Sequence, residues 1–142
     1  MKNFPAITIH SDGGSRGNPG PAACAGLALS DEQVLFTVSK YLGITTNNQA
    51  EYQGLIEVLE QLNKQEYVAQ ALTIKMDSEL IIRQLEGRYK VKDQNLKTLY
   101  LQVQSLLNLL KNSRFSKINL VHVPRSQNSQ ADSLVNKVLD EQ

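Results

Sequence analysis

The order of apolar patterns along the chain is the feature that most restricts its fold. Residues 6–10 alternate apolar and polar side chains, as a half-buried strand does, and strand candidates follow at 22–30 and 33–41. Further along, helically spaced apolar residues alternate with short strand-like runs. Three hairpin-linked strands followed by strand–helix alternation predict an α/β fold, with a mixed five-stranded sheet and helices on both faces.

The later elements can be bounded from the same patterns. A first helix is expected to begin at Asn47 or Asn48, and the most regular apolar stripe predicts a long helix over 94–111. The remaining predicted elements are a strand at 72–76, a short helix at 78–85, a strand at 118–123 and a helix at 129–139. A chain of 142 residues suits one domain, so we expect a single domain over 1–142.

Composition restricts the function only loosely. The formal net charge of +1 neither favours nor excludes a nucleic-acid partner, because a binding site needs only local charge. The single Cys24 excludes an internal disulfide and a cysteine zinc site. No apolar run is long enough for a membrane span, and no signal-peptide pattern is present, so we expect no membrane partner and a cytoplasmic protein. The apolar faces look satisfied internally, which favours a monomer.

Four acidic residues stand where structural acids are uncommon. Asp12 and Asp77 come at the ends of the first and fourth predicted strands. Glu51 lies on the apolar side of the first helix, and Asp132 lies in the first turn of the last. Ligand sites of sheets with parallel central strands collect at the carboxyl ends of those strands. If the first and fourth strands are neighbours, all four acids can meet there.

Such a cluster has a definite chemical use. Carboxylates gathered in a partly buried place repel one another unless cations are bound, and all-oxygen ligands suit Mg²⁺ or Mn²⁺. Two such ions about 4 Å apart can promote phosphodiester hydrolysis. Three of the acids also have an ordinary structural interpretation: Asp77 as a helix cap, Asp12 as a turn residue, and Asp132 as a charge at a helix N-terminus.

Four blocks of the sequence resemble the type 1 ribonuclease H family, and they occur in the family's order. They are residues 9–21 (IHSDGGSRGNPGP), 45–51 (TTNNQAE), 76–80 (MDSEL) and 128–134 (NSQADSL). The intervals between the blocks span nearly the whole chain. The resemblance implies the ribonuclease H-like fold with strand order 3-2-1-4-5. It also implies hydrolysis of the RNA strand of RNA/DNA hybrids, leaving 5′-phosphate and 3′-hydroxyl ends.

The resemblance assigns roles to individual residues. Asp12, Glu51, Asp77 and Asp132 match the family's four-carboxylate site, which holds two Mg²⁺ ions, with Mn²⁺ as a substitute. For substrate binding, three amides match positions that reach into the minor groove of the hybrid, and a threonine matches a contact to a phosphate of the DNA strand. These residues are Asn18, Asn47, Asn48 and Thr46.

The sequence departs from the family pattern in three places. The long basic handle is reduced to residues 84–92, where Arg88 and Lys90 remain as candidate phosphate contacts. Ile44 replaces an arginine of many relatives, which leaves duplex RNA open as a further substrate. In the short loop before Asp132, both His122 and Arg125 could match the residue that assists catalysis, and we favour Arg125.

Three alternatives remain open. A related carboxylate nuclease, such as an integrase or junction nuclease, would share the sheet but lacks the asparagine blocks seen here. A non-catalytic module that binds hybrids or duplexes would need no acids, yet all four are present. The chain could also be the ribonuclease part of a larger protein, although its initial methionine and the end after the last helix favour a free-standing one.

Overall fold

The computed structural model describes residues 2–142 and contains five strands, four α-helices and one short 3₁₀ turn. The strands are β1 (Lys2–Ser15), β2 (Gly20–Ser30), β3 (Gln33–Thr45), β4 (Tyr67–Met76) and β5 (Phe115–His122). The helices are α1 (Asn47–Gln65), α2 (Glu79–Leu85), α3 (Gln94–Ser113) and α4 (Ser129–Asp140), and the 3₁₀ turn is Arg125–Asn128.

The strands form one mixed sheet in the order β3-β2-β1-β4-β5. The first three pair antiparallel as a meander, whereas β4 pairs parallel with both β1 and β5. This is the sheet that the order of apolar patterns and the family resemblance predict. No helix of residues 2–142 is long and apolar enough to cross a membrane.

The strand alternation separates the core into two layers. Ile7, Ile9 and Ile74 lie in a large buried cluster with the apolar sides of α1 and α3. On the other face, Ala23 and Ala25 pack against Val135 and Leu139 of α4. The helices therefore cover both faces of the sheet, as expected. Cys24 is buried in β2, as predicted, and burial raises the pKa of its thiol to about 12.

The strand and helix types are confirmed, but all five strands are longer than predicted, the first strand among them. The prediction that Asp12 ends this strand is wrong, because β1 continues to Ser15. The extra residues pair only with β2, from Asp12 opposite Ala25 to Ser15 opposite Ala22. Pairing with β4 stops earlier, at His10 opposite Lys75. Glycines at 13 and 14 hide this continuation from a pattern of alternating side chains.

Candidate active site

A pocket of about 230 Å³ lies at the carboxyl end of β4, beside Asp12 of β1. All four acids highlighted by the sequence line it, together with one hydroxyl and one cation. Its lining residues are Asp12, Glu51, Asp77, Ser78, Arg125 and Asp132. The structure therefore brings together residues that lie up to 120 positions apart in the chain, because four different elements end or begin at this edge.

Parallel pairing of β1 with β4 brings the first two acids level with each other. The last paired residues are His10 and Lys75, and the same register continued for two residues sets Asp12 opposite Asp77. Asp77 follows β4 directly, where Ser78 caps α2 by accepting a hydrogen bond from the amide of Ile81 at 3.2 Å. The strand therefore stops at the point where its neighbour carries the buried Asp12.

Close packing of α1 on β1 brings in Glu51. A Cβ atom added at Gly13 would overlap the backbone of Ala50 and the amide of Glu51. A Cβ at Gly54, one turn further along the helix, would overlap the carbonyl oxygen of Asp12. Because both contacts need glycine, the helix backbone can lie directly against the strand beside Asp12. Glu51 then reaches the pocket from above the sheet.

The 3₁₀ turn and α4 supply the remaining charged groups. Asp132 lies in the first turn of α4, as predicted, and an Nη2 atom of Arg125 lies 3.5 Å from its Oδ1 atom. The side chain of Arg125 is 78% exposed, so it can reach a bound molecule. His122 is the last residue of β5, is exposed and does not line the pocket. Of these two candidates, Arg125 lines the pocket, and its assisting role stays a prediction.

Two acids of the pocket resist ionisation, because they are buried and lie near other carboxylates. Burial, followed by the negative charge of Asp77, raises the pKa of Asp12 to about 8, and Asp132 and Glu51 add to the shift. Burial and Asp77 also raise the pKa of Glu51 to about 7, although a hydrogen bond from Ser78 opposes the rise. A site with this much uncompensated repulsion favours a cation.

The donor set suits a hard divalent ion, since every acidic ligand offers oxygen. Within residues 2–142, however, no three Asp, Glu, His or Cys side chains converge closely enough to form a finished metal site. A bound divalent cation would offset the repulsion among these carboxylates. The residues present therefore fit Mg²⁺ or Mn²⁺ by ligand chemistry.

The predicted substrate-binding amides surround the N-terminus of α1, one turn before Glu51. Thr46 caps this helix by accepting a hydrogen bond from the amide of Gln49 at 3.2 Å. The Oδ1 atom of Asn18 accepts a bond from the amide of Asn47 at 3.0 Å, and the Oδ1 atom of Asn47 accepts one from that of Ser15 at 2.8 Å. These bonds hold the loop after β1 against the helix. Asn48 is half-buried next to them.

The reduced handle lies apart from the carboxylates. After α2, a turn at Gly87 with φ +79° leads into an exposed segment that contains Arg88 and Lys90. Arg88 lies 3.6 Å from the carboxylate of Glu86, and Lys90 lines a separate pocket of about 340 Å³ with Tyr89 and other residues. Neither predicted phosphate contact lines the carboxylate pocket.

Two residues near the site have roles that the sequence analysis did not identify. Ser78 supports Glu51 as well as capping α2. The amide of Asn128, which is 1% exposed, connects the 3₁₀ turn to β1 through Ser11 and His10. Both residues occur in the sequence blocks described above. No local pattern, however, indicates that Asn128 has partners more than a hundred positions away.

Comparison with known proteins places this site in context. The family model described as reverse transcriptase-like matches residues 10–138. A bifunctional protein of Mycobacterium tuberculosis is 42% identical over 136 residues, which cover 94% of this chain and 35% of that protein. The chain thus spans about a third of the length of this curated relative.

Solved structures of similar sequence have the same fold. RNase H1 from Halobacterium salinarum is 34% identical, with a TM-score of 0.87, and the match covers 96% of this chain and 99% of that one. LC11-RNase H1, solved in complex with an RNA/DNA hybrid, is 40% identical, with a TM-score of 0.86. That match covers 95% of this chain and 97% of the other.

Proposed function

This chain belongs to the type 1 ribonuclease H family, and from that premise we propose that it is an endoribonuclease. It hydrolyses the RNA strand of RNA/DNA hybrids and leaves 5′-phosphate and 3′-hydroxyl ends. The observation that carries the proposal is the convergence of Asp12, Glu51, Asp77 and Asp132 on one pocket. The hybrid in the complex of LC11-RNase H1 supports the choice of substrate.

The four carboxylates are proposed to hold two divalent ions, Mg²⁺ or, as a substitute, Mn²⁺. Asp12 of β1 and Asp77, which directly follows β4, would hold these ions together with Glu51 and Asp132. When bound, such a pair supplies charge stabilisation for the attacking and leaving oxygens of the phosphodiester. Ionisation of Asp12 and Glu51, which their surroundings oppose, becomes favourable beside these cations.

The other residues of the pocket act on the substrate or on the acids. Arg125, exposed and close to Asp132, offers its guanidinium to the scissile phosphate or to the product phosphate. Ser78, which also lines the pocket, opposes the rise in the pKa of Glu51. A guanidinium is a poor proton donor, so the role of Arg125 is to neutralise charge and assist product release rather than to transfer a proton.

Substrate contacts are proposed around the N-terminus of α1 and at the reduced handle. Asn18, Asn47 and Asn48 offer amide donors to the minor groove, where the 2′-hydroxyl distinguishes RNA from DNA. The hydroxyl of Thr46 accepts from Gln49 and can still donate to a phosphate of the DNA strand. Arg88 and Lys90, both exposed, add phosphate contacts further from the reacting atoms.

One observation favours a wider substrate range. Ile44 is 68% exposed near the end of β3, two residues before Thr46. It matches a position where many members of the family have an arginine. An apolar side chain there offers nothing to a phosphate of the opposite strand, so hydrolysis of duplex RNA is the second candidate activity.

We further propose, from the sequence, a monomeric cytoplasmic protein with one domain over residues 1–142.

The test uses end-labelled RNA/DNA hybrid, duplex RNA and duplex DNA, with Mg²⁺, Mn²⁺ or EDTA. The test variant is Asp77→Asn, which keeps the shape of the side chain and removes its charge. The matched control is Asp93→Asn, because Asp93 caps α3 away from the pocket and Asn is an equally good cap.

We expect metal-dependent cutting of the hybrid's RNA strand that is lost in Asp77→Asn and kept in Asp93→Asn. Cutting of duplex RNA at a similar rate would support the second candidate activity. If the unaltered protein binds the hybrid tightly but cuts it with neither metal, the proposed endoribonuclease activity would be overturned. That result would favour a non-catalytic binding module.

A further inference from the structure

The side chain of Asn128 forms a buried link between the end of the 3₁₀ turn and the centre of the sheet. Its Nδ2 atom donates a hydrogen bond to the carbonyl oxygen of Ser11 at 2.9 Å. Its Oδ1 atom lies 3.2 Å from Nδ1 of His10. Asn128 is 1% exposed, and its bond to Ser11 is buried, whereas its bond to the half-buried His10 is partly buried. One amide thus connects two segments that are 117 positions apart.

The chemistry of the partners fixes the direction of both bonds. The carbonyl oxygen of Ser11 can only accept a hydrogen bond, so the nitrogen of the Asn128 amide must face it. The amide oxygen then faces His10, and the ring nitrogen Nδ1 must carry a hydrogen to donate. Rotation of the amide by 180° would lose the bond to Ser11 and would require the other tautomer of His10. The pair therefore specifies one arrangement of the two segments.

Asn128 also departs from what its place in the chain predicts. It precedes α4 at the capping position, yet its side chain makes no capping bond, and its backbone angles are φ −120° and ψ 23°. The other three helices are capped by the side chains of their preceding residues, Thr46, Ser78 and Asp93. The side chain of Asn128 is used for the contact with β1 instead of for its own helix.

This contact lies between the charged groups of the pocket. Arg125 is three residues before Asn128, Asp132 is four residues after it, and Ser11 is adjacent to Asp12. We propose that Asn128 and His10 form a positioning pair, which sets Arg125 and Asp132 at the correct distance from Asp12. The inference rests on the proposed function, because its consequence is a rate of hydrolysis.

The pair should affect the chemical step more than substrate binding. The predicted contacts to the hybrid lie at the N-terminus of α1 and at the handle, which Asn128 does not touch. A displacement of about 1 Å between catalytic groups can lower a rate about a hundredfold. Loosening the pair is therefore expected to lower kcat and to leave KM nearly unchanged.

Four variants test the inference. Asn128→Ala removes both hydrogen bonds. His10→Leu removes one of them, whereas His10→Asn keeps a donor close to the position of Nδ1. The matched control is Asn119→Ala, since Asn119 is half-buried in β5 and its amide bonds only to Thr73, away from the pocket. Kinetics on the hybrid are combined with hydrogen exchange of the backbone amides at 125–132.

The expected result is a graded loss of kcat with rescue. Asn128→Ala should lose about tenfold or more, and His10→Leu about threefold or more, with KM within about threefold of the unaltered protein. His10→Asn and Asn119→Ala should stay within about twofold. Exchange at 125–132 should quicken in Asn128→Ala and His10→Leu only. If Asn128→Ala does not fold, the two His10 variants decide alone.

Two results would overturn the positioning pair. One is equal kcat for His10→Leu and His10→Asn, and the other is a loss that falls on KM rather than on kcat. An unaltered protein that cuts no hybrid would instead overturn the proposed function. In that case the exchange data still decide whether the pair orders residues 125–132, and uniform exchange in all variants would count against it.

Discussion

Replacement of Asp12 by asparagine is expected to stabilise the protein in the absence of metal. Asp12 is 7% exposed, and burial together with Asp77 raises its pKa from 3.8 to about 8. Between these two values the folded protein keeps a proton that the unfolded chain releases. The free energy of unfolding therefore falls as the pH rises from about 4 to about 8. An asparagine side chain does not titrate, so this loss disappears in the variant.

The magnitude follows from the same two pKa values. At pH 7 the Asp12 carboxyl of the unfolded chain is about three pH units above its pKa, whereas that of the folded protein is still mostly protonated. This difference lowers the free energy of unfolding by about 4 kcal/mol. Repulsion between Glu51 and Asp77 remains after the substitution, and the amide still has to be desolvated. We therefore expect about half this value, roughly 2 kcal/mol, or a rise in Tm of about 5–8 °C.

The assay is calorimetric unfolding in EDTA at pH 4.5, 6 and 8, with Asp31→Asn as the control. Asp31 is exposed in the turn after β2 at φ 51°, a conformation that asparagine also tolerates, so its change should stay within about 0.5 kcal/mol. The gain from Asp12→Asn should be small at pH 4.5 and largest at pH 8. A gain that does not depend on pH, or a lower Tm than the unaltered protein at pH 8, would refute the electrostatic reasoning.

Three further predictions concern the surroundings of the pocket. Gly13→Ala should lower the free energy of unfolding by about 3 kcal/mol in thermal unfolding, because the added Cβ would overlap α1. In the control Gly14→Ala the nearest neighbours lie 3.9 Å away or more, so the change should be less than about 0.5 kcal/mol. Equal effects of the two substitutions would contradict the close approach of α1 to Gly13. Tyr52→Phe should cost about 1–3 kcal/mol in urea unfolding because it removes the buried 2.6 Å bond to Gln84, and a cost below about 0.5 kcal/mol would show that this bond is dispensable. Arg125→Ala should lower kcat on the hybrid about tenfold with an unchanged Tm, and an unchanged kcat would reject Arg125 as the assisting residue.

The family blocks identified all four acids that line the pocket, and the structure supports that choice by its geometry. Asp12, Glu51, Asp77 and Asp132 each stand next to a local signal: a strand end, an apolar helix side or a helix start. The strand bounds were predicted less well, because β3, β4 and β5 each begin or end several residues outside the predicted ranges. The clearest failure is the end of the first strand. Its cause is local too, since glycines carry no side chain to show the alternation that continues to Ser15.

Contacts between distant segments could not be predicted from such local sequence signals. The bonds of Tyr52 to Gln84 and of Asn128 to His10 join residues 32 and 118 positions apart. Nothing in the sequence near Asn128 distinguishes an ordinary helix cap from a side chain that reaches the sheet. The choice depends on how α4 lies on β1 and β2, which is a property of the assembled layers.

By itself the sequence determined the order and type of the elements, because strand and helix periodicities depend on neighbouring side chains and on which face they bury. The family blocks added the identity of the acids. The tertiary structure decided the register that sets Asp12 level with Asp77, the glycine contacts that bring Glu51 against them, and the raised pKa values that follow. These depend on distances through space, and burial and repulsion act on a carboxylate only when packing has removed its water and placed another charge beside it.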